Sequence, residues 1–244
     1  MEQSTCQGLV SSSLDIFKGH LGKVPLSARM GWNFMNNATM RQLEAEGISF
    51  DASCIPHFFS GLMYGKRDNF FDWSRAPSSP FHPNYDDYQT PGDMNILEIP
   101  VTTYEKVSPH RHARSLFSRW IKVLSGFPSS TPTRAVLSRV SVPYVVRRAV
   151  FQDEILILSP WRRNVAITKL LHSKLSEASS RGWAYLLAYF HPCELLNPIN
   201  GKPHLEYLRT VRTVLRTILG LQNSMRVIPI SVSEFGRMLQ DGVL

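Results

Sequence analysis

Three residues of this 244-residue chain stand where a reactive side chain belongs by the pattern around them. His191 follows an almost uninterrupted apolar and aromatic run, 183–190, too short for a comfortable helix, which predicts a strand buried on both faces. In α/β barrels and open parallel sheets the carboxyl ends of strands carry the reactive groups. An imidazole, with an ordinary pKa near ~6.5, can give or take a proton there. The competing assignment is a histidine that caps the next turn. Arg29 ends a brief strand predicted within 23–29, and Asp51 ends another over 48–51. A guanidinium keeps its charge at every relevant pH and can hold a carboxylate in a fixed direction.

Other polar groups make weaker constellations. His110 and His112 flank Arg111 and would face the same side of a strand, as metal ligands can, but they follow Ser108-Pro109 just before a predicted helix, which favours a solvated loop. Asp86-Asp87 lies in a loop rich in Pro, Asn and Tyr. His57 and His82 lie in the same aromatic region, as sugar-facing or structural residues. Cys6, Cys54 and Cys193 are odd in number and far apart, so they specify neither a disulfide framework nor a zinc site.

The elements that would position these residues follow a βαβ rhythm. A helix is predicted over 9–21, with Ser11, Ser12 or Ser13 as N-cap and Gly22 just past its end. After the strand ending at Arg29, Asn36 or Asn37 can cap a helix to about Glu46, closed by Gly47. Residues 52–92 show no sustained period and predict a long ordered loop, suited to a substrate platform. A strand is predicted over 96–101, a helix over 113–124 and a breaker over 125–132, while 134–158 fits strand or helix. A helix over 164–180 has Val165, Ala166, Ile167, Leu170, Leu171 and Leu175 on one face. A helix over 205–219, a strand over 226–230 and a closing helix over 233–239 complete an α/β fold.

Hydrophobic residues at 43% and charged residues at 19% belong to a globular protein with a sizeable core. No apolar run approaches the ~20 residues of a membrane helix, and residues 1–8 lack the features of a secretion signal, so a cytoplasmic location is the default. Twenty-seven basic against nineteen acidic residues give +8, but the arginines are spread without a dense block, and no nucleic-acid partner is expected.

Three segments in fixed order are more specific: Ser27-Ala28-Arg29-Met30-Gly31-Trp32, Gly47-Ile48-Ser49-Phe50-Asp51-Ala52-Ser53, and Phe190-His191-Pro192-Cys193-Glu194-Leu195. With Phe71-Asp72-Trp73 and Leu97-Glu98-Ile99-Pro100, and over most of the chain from 23 to 239, they resemble the carboxyl-terminal half of the NodB-type polysaccharide deacetylases. The resemblance implies one domain over 1–244, an incomplete distorted (β/α) barrel truncated at its N-terminal side. It also implies removal of N-acetyl groups from a polysaccharide or oligosaccharide. Arg29 matches the family's base-orienting arginine and His191 the histidine that protonates the departing amine. Asp51, or Asp72 with Trp73, matches the positions that support that histidine. Trp32, Asp72 and Trp73 are the implied substrate-binding residues.

The family's chemistry implies a divalent metal, zinc by expectation, held by one aspartate and two histidines in the complete domain. Only Asp15 and His20 are available before Arg29, so no metal is expected for this chain alone, and the chain alone is expected to be inactive. The alternative implied by the same resemblance is an inactive carbohydrate-binding remnant, with Trp32, Tyr64, Trp73, Tyr85 and Tyr88 as its sugar-facing aromatics.

Overall fold

The computed structural model describes residues 3–31, 34–56, 71–73, 75–104, 154–155, 165–188, 196 and 200–244. Helix α1 (Gln3–Leu21) begins six residues before the predicted start, so Ser11, Ser12 and Ser13 lie inside it, where the Ser13 hydroxyl donates to the Leu9 carbonyl at 2.7 Å. Its buried Val10 and half-buried Leu14 and Phe17 recur at helical spacing and face α2 (Asn37–Ala45). A polar clasp closes this pair, with Ser11 donating to Glu46 and Gln42 donating to the same carboxylate oxygen at 2.8 Å. The caps of α2 follow the sequence: Asn36 accepts from the Thr39 amide at 2.8 Å, and Gly47 turns the chain out of the helix at φ 83°.

Around this helical pair runs a parallel sheet, β1 (Ser27–Ala28), β2 (Phe50–Asp51) and β3 (Leu97–Glu98), in that spatial order. Ser27 is in register with Phe50 and Phe50 with Leu97, while Ala28 is opposite Asp51 and Asp51 opposite Glu98. The outer side of β3 is met by Phe81, which exchanges backbone hydrogen bonds with Glu98 in an antiparallel bridge. A separate antiparallel pair joins β4 (Thr103–Tyr104) to β5 (Glu154–Ile155). The fold is thus mixed α/β around a small parallel sheet.

The described part of the 52–92 loop has no helix or regular strand, as expected, and its order comes from side chains. Arg41 donates to the Tyr85 carbonyl through Nε at 3.0 Å and pairs with Asp86 at 3.3 Å, while Arg75 pairs with Asp87. His82 Nδ1 lies 2.9 Å from the Met94 carbonyl and 3.1 Å from that of Ile96, which gives this histidine a structural role.

Helix α3 (Val165–Arg181) buries Leu170 and Leu171 and half-buries Leu175 as predicted; the side chains of Val165, Ala166 and Ile167 lie outside the described residues. The helix predicted over 113–124 and the breaker segment 125–132 lie outside them as well. Beyond Gly182, the first residues of the predicted doubly buried strand form no strand ladder, and among 183–188 Tyr185 alone is buried. Thr102 holds this segment instead: its amide donates to the Leu187 carbonyl at 3.0 Å and its hydroxyl accepts from the Leu187 amide at 2.8 Å. A side-chain hydroxyl takes a position that a neighbouring strand's carbonyl would occupy, and regular pairing stops.

Helix α4 (Leu205–Gly220) keeps Tyr207 and Val214 buried on a narrow stripe and leaves Leu208, Leu215 and Leu219 exposed. The strand predicted over 226–230 is not formed, and Ile228 and Ile230 are 48% and 40% exposed. Pro229 has no amide to donate, so a ladder through this segment would lack a bond at its centre. Helix α5 (Val232–Gln240) starts at a full capping box, in which Ser231 accepts from the Glu234 amide at 3.2 Å and Glu234 accepts from the Ser231 amide at 2.8 Å. It packs Phe235 against Tyr185, ring centroids 5.1 Å apart, and lays Gly236 on the ring of Phe50.

Candidate functional site

Parallel pairing brings the ends of β1, β2 and β3 together, and each ends at or beside a charged residue. Because Asp51 and Glu98 are register partners on neighbouring strands, their side chains leave the sheet on the same face, roughly 4.8 Å apart along the hydrogen-bonding direction. Both are fully buried. Arg29, one residue past β1, is exposed along part of its length and donates to the carbonyl of Ala52.

The turn after β2 is tied to both carboxyls. Asp51 accepts from the Ser53 hydroxyl at 2.8 Å and from the Ser53 amide at 3.2 Å. Glu98 Oε1 accepts from the Cys54 amide at 2.9 Å. Ser53 Oγ in turn accepts from the Met30 amide at 2.8 Å, which links this turn back to the end of β1. Glu98 Oε2 is buried with no donor to it among the described residues.

Two carboxyls in a dry interior cannot both ionise cheaply. Burial raises the pKa of Asp51, and hydrogen bonds from Glu98 and Ser53 together with the nearby Arg29 charge oppose that rise. Burial drives Glu98 well above the usual carboxylate range, and the adjacent Asp51 carboxylate pushes it further. Of the two, burial and the neighbouring carboxyl favour the protonated form of Glu98 the more. Burial also raises the Cys54 thiol well above its ordinary value, with the two acids adding to the effect, so Cys54 is an inert thiol.

Of the residues singled out in the sequence, Arg29 and Asp51 are brought together here. The Asp72 amide donates to the Tyr88 hydroxyl at 2.7 Å, and Trp73 is fully buried against Tyr88, centroids 4.8 Å apart and planes at 85°. Trp73 shares its apolar cluster with Cys54 and Ile55 and presents no surface to a sugar. Tyr88 is buried with it, whereas Tyr85 is partly exposed. His191 and Trp32 lie outside the described residues, as do Tyr64, His57, His110, His112 and Cys193. The site residue missed in the sequence is Glu98. A carboxylate inside the apolar run Ile96-Leu97-Glu98-Ile99 was the available signal, since Glu is almost never fully buried unless paired.

Among the described residues no three His, Cys, Asp or Glu side chains come together in a way that could hold a divalent metal, and the two acids that do meet accept from backbone amides. No helix of the described residues is long and apolar enough to cross a membrane.

No family model matches the chain, and no curated protein matches it. Among solved structures, a proposed polysaccharide deacetylase from Mycobacterium smegmatis is similar, with 14% sequence identity and a TM-score of 0.47. The match covers 100% of this chain and 59% of that protein, so the chain spans little more than half of its length.

Proposed function

We propose that the chain carries part of a carbohydrate N-deacetylase centre of the NodB type, on a (β/α) barrel, acting on an N-acetylated polysaccharide or oligosaccharide. The observation that supports this reading is the convergence of Arg29 with the buried Asp51 and Glu98 at the carboxyl ends of three parallel strands. Such an edge is where the reactive groups of α/β folds gather. Arg29 is anchored at the Ala52 carbonyl and exposed beyond it, so it can orient an acidic partner on the open side of the sheet. In this reading His191, at the end of the Tyr185-containing segment, is the proton donor to the leaving amine, and Asp51 acts from beneath the surface as a support, since it cannot touch a substrate while fully buried. Trp32 and Asp72 are the proposed substrate contacts.

The test is acetate release from an N-acetylated oligosaccharide with zinc supplied, for the chain alone and for the chain extended by the in-frame sequence upstream of Met1. Release is expected only from the extended form, falling ~10²–10⁴ in its His191→Ala variant, the usual worth of a positioned proton donor. Turnover of His191→Ala within about threefold of the parent, well short of that range, removes His191 from the mechanism. Oligosaccharide binding without acetate from either form returns the reading to a carbohydrate-binding remnant.

A further inference from the structure

Asn200 and Gly201 lie in a turn that has no part in the site described above. Leu196 and Pro203 close this turn as an antiparallel bridge, and Asn200, Gly201 and Lys202 are all exposed. We infer that Asn200 is a self-modification site: the Gly201 amide nitrogen closes on the Asn200 side chain, and water opens the resulting ring to aspartate or isoaspartate. This is independent of the deacetylase reading and needs no reactant but water and hydroxide.

The net reaction is hydrolysis of one amide. Hydroxide removes the Gly201 amide proton, the nitrogen bonds to Asn200 Cγ, the Cγ–Nδ2 bond breaks, and ammonia departs with a proton. Water then opens the cyclic imide, at Cγ to give aspartate or at the main-chain carbonyl to give isoaspartate, whose backbone is one carbon longer. As the nitrogen attacks, negative charge gathers on Oδ1, and a donor already aimed at that oxygen lowers the barrier. Lys202 supplies one, its amide donating to Asn200 Oδ1 at 3.0 Å. Gly201 brings no Cβ to shield its nitrogen, the space beside its Cα is open, and its amide donates to no acceptor among the described residues.

Other asparagines lack one or another of these features. Asn84 makes the same contact, accepting from the Asp86 amide at 2.8 Å, but it is half-buried and followed by Tyr85, whose side chain shields the attacking nitrogen. Asn36 is committed to the Thr39 amide as a helix cap, and Asn37 holds Asp86 and Tyr88. Asn95 precedes the buried, β-branched Ile96, and Asn223 precedes Ser224, whose amide already donates to the Leu221 carbonyl at 2.8 Å. Asn197 precedes Pro198, which has no amide proton to lose.

The product falls just before α4, where His204 caps the helix by accepting from the Tyr207 amide at 3.2 Å. A carboxylate on the N-terminal side of a helix is favoured by its dipole, so the modified chain keeps α4 and loses one unit from its net charge of +8.

The test uses the protein as it stands. The folded chain is held in mildly alkaline buffer and digested with trypsin at intervals, a zero-time sample accounting for conversion during digestion. Fragmentation of the peptide 182–209, in which Pro203 protects Lys202 from cleavage, separates Asn200 from Asn197 by mass. A synthetic peptide of residues 196–206 in the same buffer gives the rate without the fold. Conversion at Asn200 should be faster in the protein than in the synthetic peptide, by up to about tenfold, the fold-change that one net hydrogen bond corresponds to, and should outpace Asn84. A protein that converts Asn200 no faster than the peptide does, or that converts Asn84 as fast as Asn200, overturns the assignment.

Discussion

The burial of Asp51 beside Glu98 makes the stability of this protein depend on pH in a direction opposite to that of most proteins with paired carboxylates. In the unfolded chain Asp51 and Glu98 titrate near their ordinary values, ~3.9 and ~4.3, so above about pH 5 that chain holds neither proton. The folded protein, in which burial raises both pKa values, holds protons at pH values where the unfolded chain has released them. Stability from a raised carboxyl pKa is complete below the unfolded value and is lost as pH rises toward the folded one. For each proton retained the slope is −2.303RT, about −1.4 kcal/mol per pH unit, so the pair costs stability as pH rises above the unfolded values. Each such unit is a factor of ~10 in the folding equilibrium, set against the ~5–15 kcal/mol that holds a domain folded. The perturbation is Glu98→Gln, which keeps the shape and a donor toward Asp51 but has no proton to retain. Urea unfolding at pH 5, 6 and 7 should show the variant gaining on the wild type as pH rises, by up to about 1.4 kcal/mol per unit. Lines that run parallel would refute the reasoning, since the native pair would then bind no more protons than the unfolded chain.

Gly236→Ala sets a helix gain of up to ~1 kcal/mol against an added Cβ 2.3 Å from the Phe50 ring, and overpacking at ~1–3 kcal/mol should win, lowering the urea midpoint. Trp73→Ala should cost ~3–5 kcal/mol in the same assay, as a fully buried aromatic does, and a loss under ~1 kcal/mol would mean that Trp73 is not core. Arg29→Lys should lower any acetate release measurably, because an ammonium cannot reproduce a two-pronged grip on a carboxylate; a fully active variant would reduce Arg29 to a surface charge.

What could be read from the sequence and what could not divide along physical lines. Asn36, Gly47 and Gly22 announce helix ends through local chemistry, and the structure places each where that chemistry requires. The βαβ order that aligns Arg29 with Asp51 was also legible, because strand, capped helix, glycine and strand follow within 25 residues of one another. Segments 183–188 and 226–230 misled because an apolar run states a preference for burial but not the partner that supplies it. Tyr185 found Phe235 and the Pro100 carbonyl, and a hydroxyl of Thr102 interrupted the ladder, none of which is near in sequence. Trp73 could equally have faced a sugar or a core, and only its edge-on contact with Tyr88 places it in the core. The partnership of Glu98 with Asp51 was invisible for the same reason: forty-odd residues of chain separate two acids that the sheet register makes neighbours.

The contact of α5 with the sheet has a consequence for how the polypeptide emerges from the ribosome. Ser233 donates to Ser27 across a separation of 206 residues, and Gly236 covers Phe50 in the same approach. At a synthesis rate of ~5–20 residues per second, on the order of 10–40 s pass between the appearance of β1 and that of the helix that roofs it. During that interval the ring of Phe50 and its neighbours Leu97 and Ile99 present a bare apolar face once they have been made. Transiently exposed apolar surface of this kind favours aggregation and is what chaperones shield, and the cover over Phe50 is complete only once α5 has been made.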